Sequence, residues 1–80
     1  MTFTERKIIL TEIMLALRGK KYNRKVLPDS INEIFDNIET LKANKESLNA
    51  MEYLAKMQLN YIYINTYICT EVDNTLNMDL

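Results

Sequence analysis

The chain has 80 residues, 48% of them hydrophobic and 26% charged, with ten Lys and Arg against eleven Asp and Glu for a net charge of −1. A chain this short makes one small domain that buries only roughly 60% of its unfolded surface, so its stability rests on good packing or on a partner. With no His, no Trp and single copies of Gly, Pro and Cys, it lacks the parts for Ser-His or Cys-His catalysis, a Cys/His zinc site or a Gly-rich phosphate loop.

The first predicted element is a helix over about residues 3–18. Thr2 and Glu5 have the spacing of a capping box, in which the Thr hydroxyl accepts from the Glu amide and the Glu carboxylate reaches back. Phe3, Ile9, Leu10, Ile13, Met14, Ala16 and Leu17 share one broad helical arc, which is the expected core face. Gly19 supplies the C-terminal stop. Ile8 and Leu15 lie one heptad apart on the other side of this helix, a pair expected to meet another surface.

Residues 19–27 read as a basic loop, closed by Leu27-Pro28, which ends one element and opens the next. A second helix is predicted over about residues 30–43, with Ser30 and Glu33 as its capping box. Ile31, Ile34, Phe35, Ile38 and Leu41 form its buried stripe, while Asp36, Asn37, Glu39 and Thr40 take the outer face. Ile34, Phe35 and Ile38 are expected to be its most buried residues, packing on Ile13 and Leu17.

Asn44-Lys45-Glu46-Ser47 makes a tight turn, with Ser47 as the expected cap of a long third helix over about 47–72. Leu48, Met51, Leu54, Ala55, Leu59, Ile62 and Cys69 fall on one arc, the expected inner face, with Glu52, Lys56 and Asn60 opposite. Residues 61–72 are rich in Tyr, Ile and Thr and on propensity alone suit a strand, or a hairpin turning at Asn65-Thr66. Asn-Thr serves a two-residue hairpin turn poorly, because such turns need positive φ. The helical stripe also stays in phase through Ile62, Thr66 and Cys69. The fold expected is therefore all-α: a three-helix antiparallel, bundle-like domain over residues 1–72 with a long C-terminal helix, then a frayed tail over 73–80.

Charge is unevenly spread. Residues 1–27 carry +5 and residues 28–80 carry −6, a dipole able to steer a partner or a second copy. Arg18, Lys20, Lys21, Arg24 and Lys25 surround Tyr22, a grouping that could hold phosphates while the ring stacks on a base. The plainer reading is a solvated loop facing the acidic outer side of the second helix, and a pI near 5.3 favours it. Asp29, Glu33, Asp36 and Glu39 share a helix side, but nothing in the sequence desolvates them, so they read as a solvated face and not as an acid–base or metal site.

Arg6-Lys7 ahead of an apolar run imitates the start of a signal peptide, yet Glu12 interrupts the run and no small-x-small cleavage site follows. The lone Cys69 offers no internal disulfide, so a reducing cytoplasm is the expected location. Asn, Ile, Lys and Tyr make up 30 of the 80 residues, a skew toward A/T-rich codons that hints at a phage or mobile-element source.

The third helix carries the main functional expectation. If helical, its second half is apolar nearly all round, which a small monomer buries with difficulty. Met57, Tyr61, Tyr63, Ile64, Tyr67 and Ile68, together with Ile8 and Leu15, are the expected partner-binding residues; Tyr and Met are common at such surfaces. The plainer alternative is a third helix sandwiched between the other two. The expected function is that of a small non-enzymatic regulator, of the inhibitor, adaptor or antirepressor kind, which needs no cofactor and no metal, binds another protein and forms a homodimer. The alternative is a small nucleic-acid-binding regulator acting through Arg18, Lys20, Lys21, Tyr22, Arg24 and Lys25.

Overall fold

Three helices form where the sequence places them. In the computed structural model, which describes residues 2–73, these are α1 (Phe3–Leu17), α2 (Asp29–Ala43) and α3 (Ala50–Tyr67), and no strand occurs among the described residues. Short 3₁₀ turns at Arg24–Val26 and Lys45–Ser47 lie in the two connections, and α3 continues into a six-residue π-helical turn at Ile68–Asp73. Of the tail expected over 73–80, Asp73 ends that turn and the rest lies outside the described residues.

Both ends of α1 follow from local chemistry. The Glu5 amide donates to Thr2 Oγ1 at 3.1 Å, and the Thr2 hydroxyl donates to Glu5 Oε1 at 3.1 Å. At the other end Gly19 N–H donates to Ala16 O and Lys20 N–H to Leu15 O, at 3.1 and 2.9 Å. This paired closure needs a left-handed residue just past the helix, and Gly19 sits there with φ +70°.

The other two helices start one to three residues away from the expected positions. α2 begins at Asp29, with Pro28 as its cap residue and no side-chain capping bond, so the Ser30–Glu33 box does not form. Instead the Pro28 carbonyl accepts from the amides of Ile31 and Asn32. Ser47 lies in a 3₁₀ turn, and the cap of α3 is Asn49. Its Oδ1 accepts from the Glu52 amide at 2.8 Å, while its Nδ2 donates to Glu52 Oε1 at 2.8 Å.

Helix persists through the Tyr- and Ile-rich stretch after residue 60. Thr66 and Thr70 donate their hydroxyls back to the carbonyls of Ile62 and Thr66, each at 2.8 Å. These bonds satisfy the side chains within the helical backbone instead of against a neighbouring strand.

One hydrophobic cluster joins Ile9 and Ile13 of α1, Leu27 of the loop, Ile31, Phe35 and Ile38 of α2, and Met57 and Ile64 of α3. α2 and α3 pack along one another, whereas α1 meets the Arg24–Val26 turn and the π-helical turn. Within α2 the buried residues are Ile31, Phe35 and Ile38, with Ile34 only half-buried, and Leu17 of α1 is exposed. The core stripe of α2 is thus as expected in kind but centred on Ile31 rather than Ile34.

The face of α3 is inverted relative to the sequence reading. Met57, Asn60 and Ile64 are buried, and Tyr53, Tyr67 and Ile68 pack against the cluster. The arc expected to point inward is turned outward. Met51 is 83% exposed, Leu54 57%, Ile62 57% and Leu59 49%. Both sides of this helix are rich in large apolar side chains, so periodicity alone could not choose between them. Asn60 fits the buried side because its Nδ2 donates to Lys56 O at 3.0 Å within the helix.

Candidate functional site

The loop between α1 and α2 is held at several points. The Asn23 amide donates to Glu12 Oε1 of α1 at 2.7 Å, and Asn23 Oδ1 accepts from the Lys25 amide at 3.0 Å. From α2, Asn32 Nδ2 donates to the Arg24 carbonyl at 2.9 Å. The Arg24 guanidinium grips Asp36 with two parallel bonds of 2.9 Å. The hydrogen bond from Arg24 holds the Asp36 carboxyl below the usual carboxylate range, and Asp36 in turn raises Arg24.

Tyr22 is half-buried, its ring tilted 54° to Phe35 at a centroid distance of 5.5 Å. This ring, expected to stack on a base, packs against the core cluster. Arg24 is likewise engaged by an α2 carboxylate, as the plainer reading of the loop had it. Of the six residues read as a phosphate-binding group, Arg18, Lys20, Lys21, Arg24 and Lys25 are on the exposed surface, Arg24 with its guanidinium on Asp36. Asp29, Glu33, Asp36 and Glu39 are also exposed. Among the described residues no three His, Cys, Asp or Glu side chains converge to hold a metal ion.

The expected partner-binding residues divide by position. Ile8, Tyr61 and Tyr63 are exposed, and Leu15 is half-buried. Tyr67 and Ile68 are half-buried and pack on the core. Met57 and Ile64 are core residues and offer no binding surface, a correction that follows from the rotated phase of α3.

In their place the fold turns two other apolar strips outward. On α3 the strip is Met51, Leu54, Leu59 and Ile62, which the sequence reading had assigned to the interior. On α1 it is Phe3, Met14 and Leu17, at 62%, 48% and 38% exposure. Phe3, Lys7, Leu10, Thr11 and Met14 line a shallow groove there, with one cation at its edge. Three and four large apolar side chains per strip exceed the scattered single residues that any protein surface carries. Their residues had been named in the sequence; only the side they face was misread.

Neither a protein-family model, a curated protein nor a solved structure matches the chain. No helix among the described residues is long and apolar enough to cross a membrane.

Proposed function

We propose that this chain is a small, non-enzymatic, cytoplasmic regulator that works by binding another protein through its exposed apolar helix surfaces. It acts in the manner of an inhibitor, adaptor or antirepressor, and its A/T-rich codon skew suits a phage or mobile-element source. The observation that carries the reading is the α1 strip, where Phe3 and Met14 stand outward beside Lys7. Such a strip fits the apolar face of a partner helix with a carboxylate at its rim, because helix-on-helix docking recruits apolar side chains at i, i+3, i+4 and i+7 spacing. Met14 stands eleven positions after Phe3, with Lys7 and Leu10 between them, so the groove follows that spacing for about three turns.

The test is affinity capture from the native host using the parent chain and the double variant Phe3→Asp/Met14→Asp. The expected result is one stoichiometric protein held by the parent, lost by the double variant, and kept by Glu33→Gln on the outer face of α2. Capture indifferent to the α1 changes, or no stoichiometric protein at all, would overturn the reading.

A further inference from the structure

The outward side of α3 has the pattern of a helix-pairing seam. Met51, Ala55, Gln58, Ile62 and Asn65 of α3, with Cys69 in the π-helical turn that continues it, are all exposed and succeed one another at alternating steps of four and three residues. That is the 3.5-residue period that keeps a row of side chains facing a partner helix. Leu54 and Leu59 widen the row on either side, so the apolar surface is broader than the seam alone. The charged side chains of α3 are Glu52 and Lys56, and neither lies in the row.

We infer that this side is covered by the same side of a second copy, the two α3 helices lying antiparallel about a twofold axis at the middle of the 51–69 row. The inference rests on the reading of exposed apolar helix surfaces as binding surfaces, and names the occupant of one of them.

Three arguments select that occupant. The first is area. At roughly 100 Å² for each large aliphatic side chain, and less for Ala55, Gln58, Asn65 and Cys69, the row and its flanks supply on the order of 700 Å² per copy. A standard stable interface takes about 800 Å² from each partner. The second is self-complementarity. A twofold axis at the midpoint sets Ile62 against Gln58, Ala55 against Asn65 and Met51 against Cys69, using the whole row on both copies.

The third is charge. A parallel pairing would put the two Glu52 side chains at one level, with the two helix dipoles side by side in the same direction. In the antiparallel pairing Glu52 stands level with position 68 of the other copy, between its Thr66 and Thr70, and the two Glu52 side chains stand ~24 Å apart along the axis.

Sedimentation and oxidative cross-linking of the full chain test this. The parent at tens of micromolar is expected at twice its 9.4 kDa chain mass, and Leu54→Asp/Ile62→Asp at the single mass with its helicity retained. Mild oxidation should leave the parent without a covalent dimer, because the two Cys69 residues lie ~27 Å apart in this pairing. Met51→Cys should then give a covalent dimer through the native Cys69 of the other copy, and it decides the matter even where the acidic double variant fails to fold.

A parent of single mass with a cooperative melt would overturn the inference. So would a dimer indifferent to the acidic pair, and a Cys69–Cys69 cross-link in the parent would overturn the antiparallel arrangement. A monomeric parent that still captures its host protein through Phe3 and Met14 would overturn the dimer while leaving the proposed function standing. Loss of that capture with the dimer intact would do the reverse.

Discussion

Cutting Phe35 back to Ala removes a ring that lies 5% exposed in the cluster and in contact with Tyr22. The void left beside Ile31 and Ile38 should cost about 3–5 kcal/mol, a large share of the ~5–15 kcal/mol that holds a typical domain folded. Chemical denaturation of Phe35→Ala checks it, and a midpoint close to the parent's would show that α2 is not the centre of the core. Asp36 offers a second check, through pH. Its folded carboxyl is lowered from 3.8 by the hydrogen bond with Arg24, so its pairing contributes stability above the unfolded value and loses it as pH falls through the folded one. Asp36→Asn should therefore melt below the parent near neutrality, with the gap closing in strong acid; a gap that is constant across pH would count against the pair. Arg6 shows where reading by residue type stops. It is only 2% exposed, on the same side of α1 as Ile9 and Ile13. Nothing in the hydrophobic pattern marks it, since Arg counts as polar in any periodicity.

At the scale of whole helices, α3 depends on its start. Asn49 and Glu52 bond each other reciprocally, so Asn49→Ala should cost about 1 kcal/mol and loosen the first turn, read as faster amide exchange at residues 50–53. Unchanged exchange there would show that packing alone fixes the helix start. The same helix separates what the sequence made legible from what it did not. α2 has one apolar stripe and a polar back, so its existence, its ends to within a residue and its apolar stripe could be read from spacing, though Ile31 and not Ile34 is the more deeply buried. α3 has two apolar sides. Its helical state was legible through an unbroken register free of Gly and Pro, yet its rotation was settled by what α2 presents to it, which a single-helix pattern does not encode. One error of phase therefore moved Met57 and Ile64 from surface to core and Leu54 and Ile62 from core to surface. The candidate surfaces inherited it. On α1 a related overreach occurred: the arc expected to be buried was wider than the space beneath it, and Phe3, Met14 and Leu17 spill over its edge.

At the scale of the molecule, the segment joining α1 to α2 does more than connect them. Glu12 holds it from one side, Asn32 and Asp36 from the other, and Tyr22 roots it in the core. An eleven-residue link carrying five cations would ordinarily be the place where a trypsin-like protease enters a small domain. Here the backbone on either side of Arg24 is committed to hydrogen bonds, and cleavage needs that stretch to be pulled out into an extended strand. Lys20 and Lys21 stand before those ties and are exposed. Limited digestion should thus begin after Lys20 or Lys21 and reach Arg24 and Lys25 only later, with mass spectrometry reading the order of fragments. Asn32→Ala should even the order out, and first cuts at Arg24 in the parent would mean the ties are slack. Held in this way, the link behaves as a strut: it fixes the distance and angle at which α1 leaves the α2–α3 pair, so a protein gripping the outer side of α1 would pull on the whole body and not on a tethered arm.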